Sequence, residues 1–304
     1  MRLRRPLGAV TVEAAAKVNL GWRVGDVRPD GFHEVAGLVQ TITLRDRLDV
    51  RAEAPGPQAV TADVEGEPVG LVVDGPEATP DLLAEGNLVL AAARLVGERF
   101  VPRPTTIRLR KDIPVASGLG GGSADAAAAL VGLGALWGAR LAAADHVELG
   151  AELGSDVPAV LLGGLVHASG RGERVRGLGC ATGTWFVLGV PDARISAADA
   201  YRVLDELRAA GRAEDDASWH RNDLEAAAVR LVPGLGDALD AMRSAGAPVA
   251  CVSGSGPAVA GILGDRASAE DVASRASPAF RRVVVAEASA WGVRLTMGTP
   301  ADAP

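Results

Sequence analysis

Residues 114–124 read Pro-Val-Ala-Ser-Gly-Leu-Gly-Gly-Gly-Ser-Ala and carry more structural information than any other stretch of the 304-residue chain. The alternating segment from Thr105 to Lys111 predicts a strand before them, and the alanine-rich segment from Ser123 to Trp137 predicts a helix after them. Four glycines let successive backbone N–H groups approach an anion, and the helix N-terminus adds partial positive charge. The pattern predicts a phosphate-binding loop made of Pro114, Val115, Ala116, Ser117, Gly118, Leu119, Gly120, Gly121, Gly122, Ser123 and Ala124.

This loop differs from two common phosphate-binding motifs. No Gly-Lys pair occurs in the chain, which excludes a Walker loop. Ser123 stands where the dinucleotide-binding fingerprint requires its third glycine. A glycine-rich turn also occurs as a tight strand-to-helix connection without a ligand, so the loop alone leaves both interpretations open.

Composition restricts the class of protein. A chain of this length exceeds the usual size of a single core, which predicts two packed units that share a cleft. A net charge of −7 argues against a nucleic-acid partner, because binding to a phosphate backbone needs a basic face. The two cysteines form no CxxC pair, and the apolar run from Ala126 to Ala139 is too short for a membrane span. We therefore expect a cytoplasmic protein without a membrane partner. We also expect a monomer or a weak homodimer, although composition does not determine the oligomeric state.

The coarse pattern predicts an α+β protein. Strand patterns dominate the first third, with separate strands on either side of Lys17. The last third mixes strands such as Trp185 to Val190 with helices such as Ala197 to Ala209. Gly163-Gly164 and the Gly- and Arg-rich segment 169–183 indicate a joint between domains. We place the domains at residues 1–168 and 169–304.

Two charged residues stand out. Lys and Arg together number 31, yet Lys17 and Lys111 are the only lysines, so a compact ammonium has been kept at just two positions. Asp156 follows Ser155 and precedes Pro158, a pattern typical of a helix start. Alone, Asp156 would equally suit a helix cap, and Lys17 a solvated strand residue.

Three segments in matching order resemble the motifs of the GHMP small-molecule kinases. Residues 15–20 (Ala-Ala-Lys-Val-Asn-Leu) resemble the N-terminal motif, and residues 114–124 resemble the second motif. Residues 252–257 (Val-Ser-Gly-Ser-Gly-Pro) resemble the C-terminal glycine loop, which here comprises Ser253, Gly254, Ser255 and Gly256.

Further segments are similar to one branch of that family, whose members act on 4-(cytidine 5′-diphospho)-2-C-methyl-D-erythritol in the non-mevalonate route to isoprenoid precursors. They are Gly31-Phe-His33, Gly154-Ser-Asp-Val-Pro158 and Asn222-Asp-Leu-Glu225. The resemblance implies a ribosomal-protein-S5-like N-terminal domain that binds ATP and a ferredoxin-like C-terminal domain that contributes to substrate binding. It also implies ATP and Mg²⁺ as cofactors, with metal ligands that the sequence does not identify.

The resemblance further implies a division of labour among side chains. Asp156 would be the general base and Lys17 its cationic partner in phosphoryl transfer to the 2-hydroxyl of the substrate. Substrate binding would involve Asn19, Phe32, His33, Lys111 and Tyr201. The rings of Phe32 and Tyr201 could sandwich a cytosine, although core packing would equally account for either ring.

Two positions depart from the pattern of this branch. Phe32 stands where tyrosine is usual, and Ala197 where threonine is frequent, so contacts with the cytidine would differ in detail. A GHMP kinase that acts on homoserine or a mevalonate is the nearest alternative. A nucleotide-binding or RNA-binding module without catalytic activity is an alternative from another class.

Overall fold

The computed structural model describes residues 7–84, 86–139, 141–211 and 220–297. An eight-stranded sheet and a four-stranded sheet organise them. The elements that build the first sheet and its helices, up to residue 179, are β1 (Ala9–Val27), β2 (His33–Arg51), β3 (Val60–Val64), β4 (Glu67–Asp74), α1 (Leu88–Gly97), β5 (Thr105–Arg110), α2 (Gly121–Leu136), α3 (Ala143–Leu153), α4 (Val157–Leu162), β6 (Leu165–Gly170) and β7 (Arg174–Gly179). The remaining elements are β8 (Trp185–Val190), α5 (Ala197–Ala209), α6 (Glu225–Leu231), α7 (Leu235–Ser244), β9 (Val249–Val252), β10 (Val259–Leu263), α8 (Arg266–Ala276), β11 (Arg282–Glu287) and β12 (Val293–Met297).

The first sheet has the order β12-β1-β2-β5-β4-β3, and β6 and β7 branch from β2. The sequence predicted separate strands on either side of Lys17, but β1 is one strand of 19 residues. Its pairing with β2 shifts register between Ala15 and Lys17 and again between Asn19 and Gly21. A bulge changes the direction of the side chains without ending the strand. A local sequence pattern can therefore indicate two strands where the chain forms one.

The second sheet is antiparallel with the order β11-β8-β10-β9, which is 4-1-3-2 in chain order. With α5 to α7 between its first two strands and α8 before its last, it has the predicted ferredoxin-like arrangement. Successive residues of β8 face opposite sides. Phe186 and Leu188 pack into the core of the first sheet, whereas Val187 packs into a second core with the helices.

The sheets do not divide at residue 168. Strand β6 continues to Gly170, β7 pairs with β6, and β12 returns to pair with β1. The segment predicted as a joint is therefore largely a hairpin at the edge of the first sheet. Judged by strand pairing, the chain leaves the first sheet after Gly179 and enters the second sheet at β8. The last described strand, β12, belongs to the first sheet again.

Helix α2 is largely buried, and its small side chains let it pack closely against its neighbours. Residues 126–129, all alanine, are fully buried, and a Cβ added at Gly132 would lie 3.0 Å from Val12. This close packing on β1 and β2 fixes the N-terminus of α2, to which the glycine-rich loop leads. No helix in the described part of the chain combines the length and apolarity needed to cross a membrane.

Candidate active site

Lys17 and Asn19 are two residues apart on β1, between two register shifts, so regular alternation places both side chains on one face of the strand. Lys17 Nζ donates to Asn19 Oδ1 at 2.5 Å and lies 3.2 Å from Asp156 Oδ2. The lysine side chain is 4% exposed and the aspartate side chain 29% exposed, so the carboxylate is the more accessible partner. A buried ammonium thus holds a carboxylate that remains open to solvent.

Asp156 lies at the start of α4, as its sequence context predicted. Its side chain makes no capping hydrogen bond to the helix. The carboxylate turns instead toward Lys17. Of the two interpretations that the sequence left open, the geometry supports the charged pair rather than the cap.

The two glycine-rich loops interlock above this pair. Ser253 Oγ donates to the carbonyl of Gly118 at 3.0 Å, and Ala258 N donates to the carbonyl of Ser117 at 3.0 Å. Gly118 has φ +82°, and a Cβ there would stand 2.0 Å from the carbonyl oxygen of Ser253. A side chain at residue 118 is therefore excluded by contact with the second loop.

The loop also contacts the lysine. Lys17 N donates to the carbonyl of Leu119 at 3.0 Å. A Cβ added at Gly120 would lie 2.8 Å from Lys17 Cγ, and one added at Gly254 would lie 3.2 Å from Lys17 Nζ. Lys17 thus lies in a narrow channel between the two loops. The channel has room for its side chain only because residues 120 and 254 are glycine.

Lys111 lies apart from the other predicted substrate residues. Its ammonium bonds to Asp46 and, at 2.9 Å, to Asp125, and the residue is 1% exposed. Burial raises the pKa of Asp125 well above its usual value. Burial would lower the pKa of Lys111, but the carboxylates of Asp125 and Asp46 outweigh burial and raise it. The predicted substrate contact of Lys111 finds no support, because its donors face buried carboxylates beneath the glycine loop.

Replacing Lys111 with methionine should therefore lower stability. The substitution keeps the length of the side chain but leaves two buried carboxylates without their cation, which costs about 3–5 kcal/mol in comparable sites. Urea unfolding, monitored by circular dichroism, measures the loss.

Arg108→Met on the nearby strand β5 is the matched control. Arg108 pairs with Asp74 at 3.1 Å, but both side chains are largely exposed, so its loss should cost about 0–1 kcal/mol. If Lys111→Met kept wild-type stability and lost substrate affinity, that result would support the substrate contact that was predicted from the sequence.

A cleft of about 610 Å³ opens beside the Lys17–Asp156 pair. It brings together ten of the residues predicted from the sequence: Lys17, Asn19, Phe32, His33, Gly118, Ser123, Asp156, Tyr201, Gly254 and Ser255. Ala197, the position that departs from the family pattern, lines it too. The cleft therefore joins the lysine and the aspartate, both glycine loops and the aromatic residues.

The aromatic side chains already have partners on one face. The rings of Tyr201 and His33 stack with centroids 5.0 Å apart, and the Arg171 guanidinium lies 5.2 Å from the centroid of Phe32. Tyr201 is held at its hydroxyl by Trp22 Nε1 at 3.1 Å, and burial raises the pKa of Tyr201 to about 12. A cytosine between Phe32 and Tyr201 stays a prediction.

Sequence reasoning missed several residues that line the cleft, among them Trp22, Arg171, Arg202 and Asp205. Asp205 had a usable signal, because it follows Tyr201 by four residues on a predicted helix and so shares its face. Arg171 had none, because it lies in the turn between β6 and β7, and no periodic pattern shows which way a turn residue points.

Family comparison agrees with this architecture. Residues 87–164 match the description "GHMP kinases N terminal domain", and residues 203–281 match "GHMP kinases C terminal". The 4-diphosphocytidyl-2-C-methyl-D-erythritol kinase of Salinispora tropica is 40% identical, over 89% of this chain and 88% of the relative. The protein of the same name from Streptomyces avermitilis is 37% identical, over 93% of this chain and 98% of the relative.

Solved structures extend the comparison. A crystal structure of 4-(cytidine 5′-diphospho)-2C-methyl-D-erythritol kinase matches with a TM-score of 0.69 and 33% identity, over 92% of this chain and all of the other. Homoserine kinase from Cytophaga hutchinsonii matches with a TM-score of 0.72 but 18% identity, over 97% of this chain and all of the other, which shows a shared fold alone. The chain belongs to the GHMP kinases, within the family of 4-diphosphocytidyl-2-C-methyl-D-erythritol kinases.

Proposed function

We propose that this chain transfers the γ-phosphate of ATP to the 2-hydroxyl of 4-(cytidine 5′-diphospho)-2-C-methyl-D-erythritol, a step of the non-mevalonate route to isoprenoid precursors. The observation that carries the proposal is the Lys17–Asp156 pair, 3.2 Å apart at the wall of a cleft that the glycine-rich loops also line. The names of the relatives supply the substrate, and membership of a kinase family implies the use of ATP.

Asp156 is the general base in this proposal. Its partly exposed carboxylate can accept the proton of a substrate hydroxyl as that oxygen attacks phosphorus. Lys17 holds the carboxylate in place and supplies a fixed positive charge for the oxygens of the transferring phosphoryl group. Asn19 orients the ammonium, because its amide oxygen accepts one of the three N–H donors.

The phosphates of ATP bind, in this proposal, to the loop 114–124 at the N-terminus of α2. Helix α2 has 16 residues and begins at Gly121, after Gly120 in a left-handed conformation. Its unpaired N–H groups and its dipole favour negative charge at this end. The well-packed helix body keeps these donors in place before the nucleotide arrives.

The residues of the cleft fit Mg²⁺ that arrives with the nucleotide. Ser123 and Asp156 offer a hydroxyl and a carboxylate oxygen there, and the described residues contain no group of three or more His, Cys, Asp or Glu that could hold a metal. Magnesium commonly binds through one or two protein oxygens together with substrate phosphates. When bound, it would neutralise charge on the β- and γ-phosphates.

The two ends of the substrate use different parts of the chain. Phe32, His33 and Tyr201 would hold the cytidine, and the reacting hydroxyl would lie by Asp156. In this proposal the loop that leads into α2 binds ATP, and α5, which packs with the second sheet, contributes Tyr201. We extend the proposal to a cytoplasmic enzyme that acts as a monomer or weak homodimer, without nucleic acid.

Coupled ADP release with a panel of acceptors tests the substrate. We expect ADP release with ATP, Mg²⁺ and the cytidine-linked methylerythritol, and none with homoserine or mevalonate. Release with homoserine instead would assign the chain to another GHMP activity. Absence of release with every acceptor, in a folded protein that binds ATP, would favour a binding module.

The aromatic residues should govern substrate affinity rather than nucleotide affinity. Tyr201→Ala and Phe32→Ala should each weaken binding of the cytidine substrate by about 1–3 kcal/mol, because each removes a stacking surface. Calorimetric titration with CDP and, separately, with ADP measures the two affinities. Phe32→Tyr is the control, because it keeps the ring; equal losses for CDP and ADP would refute the cytidine assignment.

A further inference from the structure

His33 and Asp205 form a pair that no motif predicts. His33 begins β2 and Asp205 lies on α5, 172 residues later, yet His33 Nε2 is 2.9 Å from Asp205 Oδ1. The histidine side chain is 9% exposed and the aspartate side chain 48% exposed. Both residues line the cleft. The pair therefore joins the two halves of the chain at the end where the aromatic residues lie.

The histidine ring is held in two directions. Asp205 holds its edge, and Tyr201 stacks on its face with centroids 5.0 Å apart and planes 28° apart. Tyr201 and Asp205 are one helical turn apart on α5, so a single helix supplies both contacts. Tyr201 is itself fixed at its hydroxyl by Trp22. Rotation of the ring would break contacts with both residues of α5.

The chemistry of the pair determines what His33 can offer a ligand. An ionised carboxylate only accepts hydrogen bonds, so the imidazole nitrogen that faces it carries the proton. An imidazole with one proton then has a lone pair on its other nitrogen, Nδ1. The side chain makes no further hydrogen bond within the described residues, so Nδ1 is left to accept one from a ligand.

We propose that Asp205 is a positioning residue that fixes His33 as a hydrogen-bond acceptor toward the substrate and so makes the cleft prefer cytosine to uracil. Cytosine carries an amino group at C4, which donates, whereas uracil carries an oxygen there, which accepts. A lone pair on Nδ1 attracts the first and repels the second. This inference rests on the proposed function, because it assumes that the cleft holds the cytidine.

Calorimetric titration of the full chain with CDP and with UDP tests this inference. These probes share the diphosphate and ribose, so the ratio of their dissociation constants reports the base alone. The wild type should bind CDP at least about tenfold more tightly than UDP. This is the difference in affinity expected when one base makes a hydrogen bond with His33 and the other base cannot. Asp205→Asn should lower that ratio by about tenfold, because an amide can present either its oxygen or its N–H to Nε2.

Glu206→Gln is the matched control, because Glu206 is the next residue of α5 and pairs with Arg202 at 2.7 Å rather than with His33. It removes the same charge and should leave the ratio unchanged. Nitrogen-15 NMR of histidine-labelled protein supplies a second readout. In the wild type, His33 should have its proton on Nε2, and Asp205→Asn should change the ring-nitrogen shifts of His33.

The outcomes separate this inference from the proposed function. If wild-type protein phosphorylates the cytidine substrate but Asp205→Asn keeps the full CDP preference, the positioning role is refuted. Equal weakening of CDP and UDP would also refute it, because that result indicates a general structural effect. A proton on Nδ1 of wild-type His33 would contradict it directly. Absence of any kinase activity in the wild type would instead overturn the proposed function.

Discussion

Asp156→Asn should lower the turnover number by about 10²–10⁴-fold, the usual contribution of a positioned general base. The amide cannot take the proton of the attacking hydroxyl. Its shape is nearly that of the carboxylate, so substrate affinity should change little, and the loss should fall on turnover rather than on KM.

The fold should tolerate this change. Asp156 makes no capping hydrogen bond with α4, and the amide oxygen of asparagine can still accept from Lys17 Nζ. The melting temperature should therefore stay near that of the wild type. Asp145→Asn, at an exposed carboxylate near the start of α3, is the control and should keep full turnover. Near wild-type turnover in Asp156→Asn would refute the general-base assignment and indicate that Asp156 has a structural role.

Lys17→Met should lower turnover by about 10²–10³-fold, the usual effect of removing one donor that stabilises charge in the transition state. Methionine fits the same channel between Gly120 and Gly254, so the variant should fold. Coupled ADP release at saturating ATP and substrate measures the turnover.

Lys17→Arg is the informative companion, because arginine carries the cationic role nearly everywhere else in this chain. The lysine packs closely against both loops, since a Cβ added at Gly254 would lie 3.2 Å from Lys17 Nζ, so we expect the bulkier guanidinium to fit poorly. The planar guanidinium of arginine also directs its N–H donors differently from the ammonium of lysine. We therefore expect impaired turnover in this variant too. Full activity would show that any positive charge suffices at residue 17.

Local signals in the sequence predicted many elements well. The strand Trp185–Val190 and the helix Ala197–Ala209 have the predicted ends, because Ser196 supplies a cap and the apolar periods are clear. Of the ten site residues that meet in the cleft, all but Tyr201 lie in segments that carry the family resemblance, and Tyr201 was assigned by that resemblance without a motif.

Non-local pairing explains what was missed. Strand β12 joins the first sheet through β1, about 280 residues earlier in the chain, and no local pattern indicates its partner. Lys111 meets Asp46 across 65 residues, so its burial was invisible and its role was taken from resemblance alone. The partner of His33 lies still further away, on α5. Sequence patterns predict which residues carry chemistry better than they predict which residues those side chains contact.

Proton-coupled phosphorus-31 NMR of the reaction product tests the proposed reaction most directly. The acceptor offers hydroxyls at C1, C2 and C3, and only C2, which carries the methyl group, has no hydrogen. Transfer to the 2-hydroxyl should therefore give a new phosphomonoester signal that is a singlet, formed with one ADP per acceptor and lost in Asp156→Asn. A triplet from C1, a doublet from C3, or no new signal in the wild type would contradict the proposed reaction.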